Sequence, residues 1–127
     1  MLYTANTKTS MTNVSKEIAQ RAKKEGFGVL KEYHFKEILK EKGSPIQKDI
    51  IVYEICNPPA AQSILDAHPE VSVFLPCRIS LYEQDNKTTL STISIDSILD
   101  YFELNEDISI YMKSIFDKVK NIINSFR

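Results

Sequence analysis

Residues 77–95 read Cys77-Arg78-Ile79-Ser80-Leu81-Tyr82-Glu83-Gln84-Asp85-Asn86-Lys87-Thr88-Thr89-Leu90-Ser91-Thr92-Ile93-Ser94-Ile95, and this stretch decides the fold class. Cys77 to Glu83 predicts a strand, Gln84-Asp85-Asn86-Lys87 a polar turn, and Thr88 to Ile95 the returning strand. Two β-rich runs divided by a short Asp/Asn turn form an antiparallel hairpin.

Upstream of the hairpin, Asp49 to Cys56 predicts a further strand. Side chains alternate along a strand, so Ile51, Tyr53 and Ile55 share one face, while Ile50, Val52, Glu54 and Cys56 share the other. Asn57 then caps a helix and Pro58 takes its first position, where a missing N–H removes no hydrogen bond. Ala60, Ala61, Ile64, Leu65 and Ala67 make that helix small and apolar, and His68-Pro69 ends it. Val71 to Leu75 leads into the hairpin. Nearer the N-terminus, Met1 to Thr7 reads as a first strand. Ser10-Met11-Thr12-Asn13 offers capping side chains for a helix. Met11, Val14, Ile18 and Ala22 recur there at helical spacing until Gly26 stops the element. Phe27 to Tyr33 reads as the second strand. A short helix follows with Phe35, Ile38 and Leu39 turned inward, and Gly43-Ser44-Pro45 closes it.

Downstream, a short helix is expected around Ser97 to Phe102, then a long one from about Asp107 to the C-terminus. In the long helix Ile108, Met112, Ile115, Phe116, Val119, Ile122, Ile123 and Phe126 form a continuous stripe opposite Lys113, Asp117, Lys120, Asn121 and Asn124. A stripe of this width belongs to a helix lying on a sheet. The order is β-α-β-β-β-β-α with short inserted helices. This predicts a single α+β domain over residues 1–127: a five-stranded antiparallel sheet packed against the C-terminal helix.

Composition narrows the functional classes. The chain has 127 residues, a hydrophobic content of 43% and a formal charge of −1. Proteins that neutralise phosphates carry clustered Lys and Arg on a basic domain. None is present, and Lys23-Lys24, Lys113, Lys118 and Lys120 read as solvated helix faces, so nucleic acid is not an expected partner. No apolar run approaches the length of a membrane span. The opening Met1-Leu2-Tyr3-Thr4-Ala5-Asn6-Thr7 lacks the basic start and hydrophobic core of a signal peptide. A cytoplasmic location is therefore expected. In a reducing compartment the two cysteines are free thiols, a redox couple or ligands rather than a structural disulfide. The chain has only two histidines, His34 and His68, which limits metal and acid–base schemes.

Several motifs in order also carry a family resemblance: Gly26-Phe27-Gly28-Val29-Leu30, Leu39-Lys40-Glu41-Lys42-Gly43, Cys56-Asn57-Pro58, Leu75-Pro76-Cys77 and Tyr82-Glu83. Their order and spacing, covering about residues 10 to 95, resemble the bacterial and archaeal domain-of-unknown-function 302 family. The resemblance implies a TATA-binding-protein-like fold, with a curved antiparallel sheet gripping a C-terminal helix, and a homodimer. It implies no activity and no DNA binding, because function rests on a site rather than on a fold name. The chain departs from the family pattern at His34, where an Asp is usual. It also has Glu54 and Ile55 ahead of the Cys-Asn-Pro motif, where small residues are usual.

The candidate functional site is Cys56, Asn57, Pro58, Cys77, Arg78 and Glu54, between the sheet and the inserted helix. If the strands carrying the two cysteines are antiparallel neighbours, the end of one meets the start of the next. Cys56 also precedes a helix start, where the dipole favours an anion, while Glu54 on the same face opposes thiolate formation. Three readings follow. The cysteines are packed corner residues of a binding or accessory module, with a small-molecule pocket beside them. They form a reversible thiol couple of an enzyme or sensor. Or they ligate a metal, for which two sulfurs fall short of the usual four ligands unless a second copy supplies more. No nucleophile, phosphate-loop or dinucleotide motif is present, and the residues name no cofactor. Arg78, beside Cys77, could meet an anionic ligand near a helix start, yet an exposed strand arginine is the commoner explanation.

Overall fold

The computed structural model describes residues 1–127. The elements run β1 (Leu2–Thr7), α1 (Met11–Lys24), β2 (Gly28–His34), α2 (Phe35–Glu41), β3 (Ile50–Cys56), α3 (Pro58–Ala67), a 3₁₀ turn (Pro69–Phe74), β4 (Cys77–Gln84), β5 (Lys87–Ile93), α4 (Ile95–Leu99) and α5 (Glu106–Asn124). The five strands form one open antiparallel sheet in the order β1-β5-β4-β3-β2. The expected α+β architecture is the observed one.

The alternation read in β3 sets the layers. Ile51, Tyr53 and Ile55 are buried, as are Ile79 and Leu81 of β4 and Leu90 of β5, which the register places alongside them. Onto this face α1 packs Met11, Val14, Ile18 and Ala22, and α5 packs Val119, Ile122 and Ile123, followed by Phe126 just beyond its end. Side-chain bonds tie the two helices and the edge strand together. The Arg21 guanidinium lies 3.9 Å from the Phe126 ring centroid, and the Tyr3 hydroxyl donates to Asn124 Oδ1 at 2.8 Å. A second, smaller apolar cluster is built by the inserted segments: Ile64 of α3, Val71 of the 3₁₀ turn, Ile98 of α4 and Met112 of α5.

Element ends shift for local reasons. Phe27 precedes β2, because its N–H bonds the Ala22 carbonyl at the end of α1 while its ring enters the core. β5 stops at Ile93, opposite Leu2, where its partner β1 begins. The chain turns there, so Ile95 opens α4 and the helix expected at Ser97 to Phe102 lies earlier, at Ile95–Leu99. Val71 to Phe74 coils as part of the 3₁₀ turn. Phe35, Ile38 and Leu39 of α2 are only half-buried, so the inward face expected of that helix is shallow.

The hairpin closes through a two-residue loop. Gln84 pairs with Lys87, and Asp85 and Asn86 both take positive φ, 54° and 62°. Two such residues match the right-handed twist of the flanking strands, which is why Asp, Asn and Gly suit this turn. Asn86→Ala is expected to destabilise the fold by about 1 kcal/mol, the cost of a Cβ without a local polar partner in left-handed backbone. Asn86→Gly should keep full stability. Urea unfolding checks both, and an alanine variant as stable as the parent contradicts this account of the turn.

Candidate functional site

The sheet register decides how the sequence motifs meet. β3 and β4 are antiparallel neighbours, but Cys77 stands opposite Ile55, not Cys56, while Cys56 stands opposite Gly28 of β2. The thiols are therefore offset by one register position at the corner of the sheet. Both are half-buried and free. Asn57 caps α3, its Oδ1 accepting from the Ala60 N–H at 3.2 Å. Its Nδ2 lies where a side chain at Gly26 would begin, 3.3 Å from an ideal Cβ, and Gly26 has φ +84°. Glycine at this helix end is favoured by the left-handed backbone, and the close approach of Asn57 adds to that preference.

The three corner motifs converge on one cavity. Phe27, Cys56, Asn57, Leu75, Pro76 and Cys77 all line an apolar space of about 240 Å³ between β3, β4 and α3. A larger cavity of about 570 Å³ adjoins it, and Ile64, Leu75, Pro76, Cys77 and Ile115 line both. The larger space lies between the two apolar clusters: Val119 belongs to the main core, while Ile64, Val71, Ile98 and Met112 form the second. It extends past Arg78 to Val52, Ser80, Tyr82 and Ser91 on the sheet face opposite the core. Leu2, Val73 and Ile93 are exposed and mark its rim.

Glu54 and Arg78 form a polar cluster with a residue the motifs did not single out, Tyr33. The Tyr33 hydroxyl donates to Glu54 Oε1 at 2.6 Å, and Arg78 Nη2 donates to Glu54 Oε2 at 3.2 Å. The Tyr33 hydrogen bond, with Arg78 and Lys31 assisting, holds the Glu54 carboxyl below its usual value despite partial burial. The same bond raises the Tyr33 phenol. Lys31 lies over the Tyr33 ring at 4.8 Å. Glu54 is thus committed to Tyr33 and Arg78.

Cys77 itself has a poor environment for a thiolate. Burial pushes its thiol up to about 11, and the adjacent Cys56 sulfur adds to the shift. The histidines pair with glutamates instead of joining the cysteines in a ligand cluster. His34 contacts Glu32 at 3.3 Å at the end of β2, and His68 contacts Glu70 at 2.9 Å after α3. No group of three His, Cys, Asp or Glu side chains converges to hold a metal within the chain. No helix is long and apolar enough to cross a membrane.

Comparison with known proteins agrees with the fold. A family model described as "Domain of unknown function DUF302" matches residues 3–126. Among solved structures the chain is similar to an uncharacterized conserved DUF302 protein from Bacillus stearothermophilus. The identity is 25% and the TM-score 0.90, over 99% of this chain and 98% of the other. No curated protein matches.

The raised Cys77 thiol has two consequences with a definite sign. With a thiol value near 11, roughly one molecule in a thousand carries the reactive thiolate at pH 8. Alkylation of native Cys77 should therefore be slow at pH 8 and rise about tenfold per pH unit up to about 11, as peptide mass mapping would follow. The folded state also holds this proton more tightly than the unfolded state. Stability should then be lost as pH rises from the ordinary thiol value through about 11, and Cys77→Ala should flatten that alkaline decline. Native labelling at pH 8 as fast as in the urea-unfolded chain contradicts this picture.

Proposed function

The chain belongs to the DUF302 family, a family defined by sequence and fold rather than by an activity, and we propose that it is a non-enzymatic binding module for a small apolar molecule. The observation that carries this reading is the 570 Å³ cavity between the two apolar clusters, in which sixteen of twenty-one lining residues are hydrophobic. Its volume lies within the range of about 300–1,000 Å³ in which small-molecule sites occur. Apolar walls favour a guest by removing its surface from water. The smaller cavity at Cys56 and Cys77 shares a wall with it, so the corner motifs shape the inner end of the same site.

A chemical role is not needed to account for the cysteines. Cys77 packs against the main core, both cysteines line the smaller cavity with Ile55, Ile64 and Leu75, and the raised Cys77 thiol suits an apolar role. Reversible exchange between Cys56 and Cys77 is the second reading, favoured by their sharing one cavity. Mass spectrometry after mild oxidation separates the two: a Cys56–Cys77 crosslink supports exchange, and its absence leaves packing. A metal role would require ligands from a second copy. A homodimer is part of the proposal, since Leu2, Val73 and Ile93 at the cavity rim leave apolar surface for a second copy to cover. Light scattering at twice the chain mass supports it, and a monomer at micromolar concentration removes it.

The binding role is tested with a neutral fluorescent probe, N-phenyl-1-naphthylamine. The expected result is saturable enhancement at one probe per chain. Ile115→Trp, which fills the wall common to both cavities, should weaken it at least tenfold, with a cooperative thermal transition retained. Ser80→Trp at the opposite end of the larger cavity is the companion variant. Absence of saturable binding, or two folded variants that bind like the parent, rules the reading out.

A further inference from the structure

Arg78 is the only charged residue lining the 570 Å³ cavity. Three of the four hydroxyl side chains that line the cavity, Tyr82, Ser91 and Thr92, already have partners. Tyr82 Oη pairs with Ser91 Oγ at 3.1 Å, Ser91 Oγ also pairs with Thr4 Oγ1 at 3.0 Å, and Thr92 Oγ1 donates to the Arg78 carbonyl at 2.6 Å. The last bond fixes the backbone from which the arginine projects. Arg78 itself is under-used. Its guanidinium carries five N–H donors, one of which is given to Glu54, and its side chain is 59% exposed.

The Glu54 contact limits which edge of the guanidinium is free. Tyr33 donates to the other Glu54 oxygen, so the carboxylate is held from two sides and in turn orients Arg78. A guanidinium held at one edge still presents a planar pair of donors at another, the geometry that matches a carboxylate. Glu54 partly offsets the arginine's charge, so the recognition depends on directed N–H donors more than on a net positive field.

We infer that the molecule bound in this cavity is an amphiphile with an anionic head, its apolar body between the two hydrophobic clusters and its carboxylate on Arg78. This rests on the binding reading above and adds the chemical class of the ligand. The apolar walls set the body, and the single cation with unused donors sets the head. Tyr33 and Glu54 are positioning residues, acting through Arg78.

The test compares decanoate with decanol, two probes with the same apolar chain and different heads, by isothermal titration on the full chain. Decanoate should bind more tightly than decanol by about tenfold to a hundredfold, the range of a charge-assisted hydrogen bond. Arg78→Gln should abolish that preference through loss of decanoate affinity, and Arg78→Lys should restore part of it. Added salt should weaken decanoate alone. If decanol binds at least as tightly as decanoate, or Arg78→Gln retains the preference, the anionic head is wrong while an apolar cavity site stands. If neither probe binds, both the head-group assignment and the binding reading fail.

Discussion

The apolar stripe of α5 is shared between two clusters, and most of the architecture depends on that division. Val119, Ile122, Ile123 and Phe126 complete the core between the sheet and α1, while Met112 belongs to the smaller cluster of Ile64, Val71 and Ile98. Apolar side chains along one helix must all be removed from water, yet the sheet covers only the C-terminal part of this stripe. The inserted segments around α3, the 3₁₀ turn and α4 cover the rest. Ile115 and Phe116 stand at the junction, and both line the large cavity.

This arrangement gives the corner motifs a physical meaning. Gly26 takes a left-handed φ with Asn57 Nδ2 close by, and Asn57 caps the start of α3. Phe27, Cys56 and Cys77 then meet around the smaller cavity. On the opposite sheet face Glu54 is held by Tyr33 and Arg78. Burial keeps the Cys77 thiol protonated, and Arg78 retains free donors at the cavity. The two halves of the proposed site, an apolar body and a cationic end, are therefore set by different constraints: cluster packing and strand register.

Much of the fold was legible in the residues. The alternation of Ile51, Tyr53 and Ile55, the Asp85-Asn86 turn and the long stripe from Ile108 to Phe126 each reflect a local periodicity. The splitting of that stripe was not legible, because periodicity names the buried face of a helix without naming what covers it. The nearness of Cys56 and Cys77 followed from strand order, but their one-residue offset depended on register. Tyr33 was missed for the same reason. Its reach to Glu54 depends on a β2–β3 pairing interrupted by an irregularity between Val29 and Lys31, which no local pattern marks. Arg78 was visible as a cation beside Cys77, while its place at a cavity between two apolar clusters arises only from tertiary packing.

Whether the space between the two clusters holds a small apolar guest can be read from a methyl-resolved NMR titration with decanoate. Saturable shifts are expected at the Ile98, Met112 and Ile115 methyls, with Val14 and Ile18 in the sheet–α1 core unmoved. Shifts confined to residues outside the cavity, or methyls unchanged at millimolar decanoate, would contradict a guest in that space.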